Sequence, residues 1–192
     1  PDCPAARSIA LAFKDELGVT IQVANEGEDV GFAVTGGRMR TTRVMRKRLA
    51  RAKKRARRTA LLCRRNRKAT KLVASGVGPQ QSYGHVAQGA SPAMTAKMRA
   101  NFRSATAFAG SHSCTTSTIH WAIGENADPF VALKVEQIAS WLDAWKDVSQ
   151  HQRTEVETEW PMVLKEIVLG KKRGWKACLG PMAAVMLVLR GL

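Results

Sequence analysis

Between Thr42 and Arg65 half of the residues are Arg or Lys, and none is Asp, Glu, Gly or Pro. Side chains of this kind at this density do one chemistry well: they displace the cations condensed on a polyanion. Duplex nucleic acid carries one charge per about 1.7 Å of axis. A 24-residue helix is about 36 Å long, so it faces a full turn of duplex backbone. Arg outnumbers Lys in the run, which favours forked contacts to phosphate. The candidate binding residues are Arg43, Arg46, Lys47, Arg48, Arg51, Lys54, Arg55, Arg57 and Arg58. Some are expected to face phosphate and others only solvent. The competing reading of the run is a solvated charged face or a short import signal.

Other chemistries are poorly served. Phe32, Tyr83, Phe102 and Phe108 do not interleave with the Arg run, which points to tracking of a backbone rather than reading of bases. Tyr83 reads as a half-buried turn residue, with stacking on a sugar or base as the lesser alternative. His112, Cys114 and His120 match no standard zinc spacing and lack an evident fourth ligand, so no metal site is expected. Glu155, Glu157 and Glu159 alternate along a helix and therefore diverge into solvent. There is no Walker A loop and no GxGxxG, and Gly36-Gly37 reads as a turn.

The charge is strongly segregated. The chain has 192 residues and a net charge of +16, from 31 Lys and Arg against 15 Asp and Glu. Residues 1–29 carry two bases and six acids, residues 30–124 twenty bases and no acid, and residues 125–192 nine of each. A chain this basic usually meets nucleic acid. No apolar run reaches the roughly 18–20 residues needed to cross a bilayer, the most apolar piece being Met182–Leu189. No secretory signal is evident. The cysteines (Cys3, Cys63, Cys114, Cys178) stand at least fifty residues apart, as reduced thiols rather than a disulfide scaffold. The expected location is nuclear or cytoplasmic, not secreted, with no membrane partner. The first residue is Pro1 rather than Met, so a cut from a longer protein is expected.

The elements that must position the cations follow from spacing. Residues 5–17 read as a helix stopped by Gly18. Val19–Ala24 and Gly31–Thr35 read as strands about a turn at Asn25-Glu26-Gly27, making a small αββ unit. In the basic run Met45, Leu49, Ala52, Ala56, Thr59 and Cys63 fall at 4-3-4-3-4 spacing, a thin neutral seam on a helix otherwise covered with cations. A second helix is expected over Asn66–Ala74, ending at Ser75-Gly76, with Gly78-Pro79 opening a tight connection through Tyr83-Gly84. Ser91-Pro92 begins a helix with Met94, Met98, Phe102 and Ala105 on one side, stopping near Gly110. A Ser/Thr-rich run, Ser111–Thr118, leads into an apolar segment, Ile119–Ile123. Asp128-Pro129 begins another helix, with an inward stripe of Val131, Val135, Ile138, Leu142 and Trp145. Thr154–Leu169 is expected as a helix burying Val156, Trp160, Val163 and Ile167 and bent at Pro161. A last helix runs from Gly180-Pro181 to Leu189. The fold expected is mainly α: an αββ unit at 1–37, a basic helical region at 38–124 and a Trp-rich helical bundle at 125–192.

The order of these pieces resembles the carboxy-terminal half of a LINE-type (non-LTR) retroelement reverse transcriptase. The resemblance rests on Leu17-Gly18-Val19, Asp29-Val30-Gly31-Phe32, the basic helix pair and Pro79-Gln80-Gln81-Ser82-Tyr83-Gly84, over residues 5–100. It extends to Trp141-Leu142-Asp143-Ala144-Trp145, Glu159-Trp160-Pro161 and Gly180-Pro181-Met182-Ala183-Ala184. It implies the end of a palm, a thumb that holds a template–primer duplex, and the helical region beyond. The family's catalytic (Phe/Tyr)-x-Asp-Asp is missing, and no Asp-Asp pair occurs anywhere. The resemblance therefore implies part of an RNA-directed DNA polymerase that does not polymerise alone. Mg2+ belongs with the missing carboxylates, and no cofactor is expected in this chain. The partner implied is RNA or an RNA–DNA duplex, with a protein partner through 125–192 as an addition. The alternatives are a non-enzymatic basic nuclear protein or interaction module, and a degenerate reading frame without selected function.

Overall fold

The computed structural model of the chain describes residues 4–22, 26–29, 32–35, 40–106, 108, 113–165, 174–178 and 180–191, and within 26–35 the backbone alone. The fold is mainly helical. In chain order come α1 (Pro4–Leu17), β1 (Glu26–Asp29), β2 (Phe32–Thr35), α2 (Arg43–Arg65), α3 (Gly78–Ser82), α4 (His85–Gln88) and α5 (Pro92–Ala105). They are followed by α6 (Thr115–Ile123), α7 (Pro129–Lys146), α8 (Gln150–Val163) and α9 (Pro181–Arg190).

The basic helix forms where composition puts it. Its buried residues are Met45, Leu49, Ala52, Ala56, Thr59 and Cys63, the six of the seam. Helix α5 lies along that seam. Ser91 caps α5, its hydroxyl accepting from the Met94 amide at 3.4 Å, with Pro92 in the first turn. Met94, Met98, Asn101, Phe102 and Ala105 of α5 are buried. Ala52 and Ala56 close against Val73, Val77, Phe102, Ala105 and Ile119. Met45 and Leu49 meet Met94, Met98 and Leu133. Two buried amides stitch the layers: Asn101 Nδ2 donates to the Leu49 carbonyl (3.4 Å) and to Gln81 Oε1 (3.1 Å), and Gln81 Nε2 donates to the Met98 carbonyl (3.4 Å).

The αββ unit expected at the amino end does not form as read. Residues 19–22 are irregular, and Glu26 and Gly27, expected in a turn, stand in β1. The two strands pair antiparallel only with each other, from Glu26 opposite Thr35 to Asp29 opposite Phe32. Helix α1 leaves Ile9, Leu11, Phe13 and Leu17 exposed. The physical reason is size: four-residue strands offer no sheet face wide enough to bury a helix. No support for a palm-like sheet follows.

Two further expectations need correction. The chain does not stop at Ser75-Gly76. A 3-10 turn at Arg67–Thr70 and a π-helical segment at Val73–Val77 lead straight into α3, and the turn falls only at Tyr83-Gly84, where Gly84 has φ +80°. The π geometry turns Val73 and Val77 into the core, and that burial carries the helix through the glycines. Helix α5 ends at Ala105, short of Gly110, where Thr106 is extended.

In the second half the expected inward stripe of α7 is outside. Val131, Val135 and Leu142 are exposed, Ile138 and Trp145 are half-buried, and the buried positions are Pro129, Leu133 and Gln137. At 100° per residue the two stripes lie roughly 160° apart. The reason is α9, whose residues Ala183–Val188 are all buried. A helix apolar on every side takes the central place, and α7 turns toward α9, α4 and α5. Gln137 Nε2 donates to the Val86 carbonyl (2.6 Å) and Lys134 Nζ to the Gly191 carbonyl (3.0 Å), which holds this rotation. The tryptophans of this half are half-buried rather than central, with Trp160 and Trp175 packed against the cluster of Cys178, Ala183, Ala184, Met186 and Leu187. Trp141 stacks on Trp145 (6.1 Å) and meets Trp160 at a tilt (6.2 Å, 44°), all three half-buried on α7 and α8. Helix α8 begins at Gln150, earlier than expected, behind a capping box of Ser149 and Gln152. Val156, Trp160 and Val163 are half-buried, and Pro161 lies inside the helix. Helices on either side of residue 124 share packing. Leu133 belongs to the Met45–Leu49 cluster, and Asp128, which caps α7 at the Phe130 amide (2.9 Å), accepts from Arg99 Nη2 (2.9 Å). Arg99 Nε stands 2.9 Å from the other carboxylate oxygen as an ion pair, too bent for a second hydrogen bond. Cys3, Ala24, Asn25, Val30, Gly31, Gly36-Gly37, Gly110, His112, Ile167 and Leu169 lie outside the described residues.

Two stability predictions follow. Ala56→Leu inserts volume where α2 and α5 touch, and is expected to cost about 1–3 kcal/mol, read as a lower denaturation midpoint. Gly89 has φ +68°, and a Cβ there would meet Trp175 Cζ3 at 2.7 Å and Ala184 at 2.9 Å. Gly89→Ala is expected to destabilise by about 2 kcal/mol or more, measured the same way, whereas Gly124→Ala, with open space around it, bears only the backbone part.

Candidate nucleic-acid interface

The seam leaves the rest of α2 to solvent. Arg43, Arg46, Lys47, Arg51, Lys54, Arg55, Arg57 and Arg58 are exposed and Arg48 is half-buried. At 100° per residue these nine side chains span an arc of about 200° opposite the buried seam. They form one continuous positive surface, extended past its carboxyl end by the exposed Arg64, Arg65, Arg67, Lys68 and Lys71. Among the described residues Arg46, Lys47, Arg51, Lys54, Arg57 and Arg58 make no ion pair. No acid occurs in residues 30–124, so the charges are not spent locally.

The arc divides into three. Arg43, Lys47, Lys54 and Arg58 stand on the crest farthest from the seam. Arg46 and Arg57 turn to one flank. Arg48, Arg51 and Arg55 turn to the other, where they line a groove of about 400 Å3 with Ser75, Gly76, Pro79, Gln80 and Tyr83. Arg48 Nη1 donates to the Tyr83 carbonyl (2.6 Å), its guanidinium 4.5 Å from the centre of the Tyr83 ring. Arg55 Nη1 donates to the Gly76 carbonyl (3.0 Å). Arg46 and Arg57 do not line this groove, so the nine candidates do not share one site.

Aromatic rings stand nearer the cations than the sequence order suggests. Besides Tyr83, Arg67 lies 4.9 Å from the Phe108 ring and 4.3 Å from that of Trp121, which is 63% exposed. Trp121 carries no cationic neighbour in sequence; only the packing of α6 on α5 brings it there. Tyr83 is 49% exposed.

The remaining candidates are quiet. Glu155, Glu157 and Glu159 are exposed. Among the described residues no group of His, Cys, Asp or Glu is placed to hold a metal. His120 Nε2 instead faces Asp128 Oδ2 at 3.5 Å. The described cysteines are free thiols. Burial pushes the Cys63 thiol up, and burial pushes Cys178 up to about 11, against the opposing charge of Arg40. Cys114 is exposed at the amino end of α6, where the Ser117 amide, then its hydroxyl and the Thr116 amide, lower its pKa by favouring the thiolate. The neutral Cys178 thiol contributes stability that is full below pH 9 and lost as pH rises through about 11. Among the described cysteines, iodoacetamide near neutral pH is expected to label Cys114 first, with Cys63 and Cys178 reacting only on unfolding. Peptide mass mapping of a time course checks the order.

No known family model, curated protein or solved structure matches this chain. Among the described residues no helix is long and apolar enough to cross a membrane.

Proposed function

We propose that this chain holds nucleic acid by sequence-independent contacts to the sugar–phosphate backbone. RNA or an RNA–DNA duplex is the ligand that the resemblance to LINE-type reverse transcriptases implies. The observation that carries the reading is the outer face of α2, an arc of cations about 35 Å long with no carboxylate in its own 95-residue stretch. The crest and one flank fit a phosphate backbone laid along the helix, with Lys47, Lys54 and Arg58 touching it first. The role is thumb-like: it orients a template–primer duplex for chemistry done by carboxylates that this sequence does not carry. A nuclear or cytoplasmic location goes with this reading.

A second reading has one observation in its favour. Val131, Val135 and Leu142 form an exposed apolar stripe on α7, the kind of surface on which a protein partner docks.

Salt titration tests the first. Six to ten phosphate contacts lose about 10³–10⁵ in affinity between 50 and 200 mM salt, and a flat response overturns the reading. The double variant Lys54→Gln/Arg58→Gln is expected to weaken binding and reduce the salt slope by about two. Because it also relieves like-charge repulsion on α2, its thermal midpoint stays level or rises, which separates a binding role from a structural one.

A further inference from the structure

We infer that the groove between α2 and α3 takes an unpaired nucleotide, so that single-stranded RNA or DNA has a seat that duplex cannot use. The inference rests on the phosphate-binding reading above and adds a base to it. Arg48, Arg51 and Arg55 share about 60° of the α2 surface and form one wall. Tyr83, Gln80, Pro79, Gly76 and Ser75 form the other, and among the described residues no carboxylate lines it.

Two of the three guanidinium groups are already aimed. Arg48 is anchored on the Tyr83 carbonyl and Arg55 on the Gly76 carbonyl. A bond to a neutral carbonyl orients a guanidinium without cancelling its charge, and each Arg has five N–H donors. Arg55 therefore keeps donors for phosphate in a geometry fixed beforehand, which lowers the entropy lost on binding. Arg51 and Arg55 stand one turn apart, about 6 Å along the axis, and offer successive contacts to one strand.

The opposite wall suits a base rather than another phosphate. The Tyr83 ring is half exposed and has the Arg48 guanidinium 4.5 Å from its centre, an Arg–aromatic surface on which a nucleobase stacks. Base faces in a duplex are covered by their neighbours and cannot reach a ring in a groove, whereas unpaired bases can. Gln80 adds an edge contact. Its carboxamide oxygen is buried without a hydrogen-bond partner, and a rotation of the side chain would give that oxygen a base N–H. The groove's volume, about 400 Å3, falls within the ~300–1,000 Å3 of small-ligand sites.

The test compares a labelled oligothymidylate, an oligouridylate and a duplex of equal length by fluorescence anisotropy at one salt concentration. Tyr83→Ala is expected to weaken at least one single strand by about fivefold or more while duplex affinity stays within about twofold, and Tyr83→Phe is expected to retain both. Equal loss on strand and duplex, or no loss on either strand, overturns the inference and leaves the phosphate reading standing. A wild-type protein with no salt-dependent affinity for any of the three overturns both. Should Tyr83→Ala not fold, photocrosslinking of 5-bromouridine oligomers to the wild-type chain decides. Adducts at Tyr83 or its neighbours in α3 support the groove, and adducts confined to the crest and far flank of α2 exclude it.

Discussion

A helix covered in cations has only one neutral edge by which to join a protein, and in this chain that edge is the contact between α2 and α5. Like charges one turn apart, such as Lys47 and Arg51 or Lys54 and Arg58, each oppose the helix by about 0.2–0.5 kcal/mol. Burying a single side chain the size of Met45 or Leu49 returns about 1.5–3 kcal/mol, so the seam prevails. Its middle is alanine, Ala52 and Ala56, both fully buried, and that smallness lets Phe102 and Val77 close over the helix without a gap. The consequence is electrostatic. Because packing holds α2, its cations stay outward, and among the described residues Arg46, Lys47, Arg51, Lys54, Arg57 and Arg58 make no ion pair.

The carboxyl-terminal helices support this arrangement from behind. Leu133 of α7 completes the cluster around Met45 and Leu49, and Asp128 ties the start of α7 to Arg99 of α5. Helix α9, buried at six consecutive positions, organises the rest. Its demand for contact on every side turns α7 through roughly half a revolution and leaves Val131, Val135 and Leu142 outside. The stripe of highest apolar content on a helix need not be the one that docks, when a neighbour offers better coverage to smaller or mixed residues such as Pro129 and Gln137.

The aromatic residues follow a similar logic. Tyr83 reaches Arg48, and Trp121 and Phe108 reach Arg67, across separations of 35 to 54 positions in the chain. Arginine is suited to such contacts because its flat guanidinium stacks while its edge still donates hydrogen bonds. Lysine at the same positions would supply charge without the stack.

By itself the sequence determined the location and extent of the basic helix, its seam of six residues and the starts of α5, α7 and α9. Each depends on neighbours within a turn or two: a helical period, a cap, a proline in the first turn. It also located every cation, since charge is a property of composition. Tertiary structure alone decided which cations share a surface, that the π segment carries Val73 and Val77 inward, that α7 shows its weaker face to the core, and that Tyr83 closes a groove with Arg48, Arg51 and Arg55. Those outcomes depend on competition between distant faces for the same buried area, a quantity no local window contains. The amino end differs for the converse reason: Val19–Ala24 alternates as a strand should, but a strand forms only where a partner supplies its hydrogen bonds, and among the described residues β1 and β2 pair only with each other while 19–22 stay irregular.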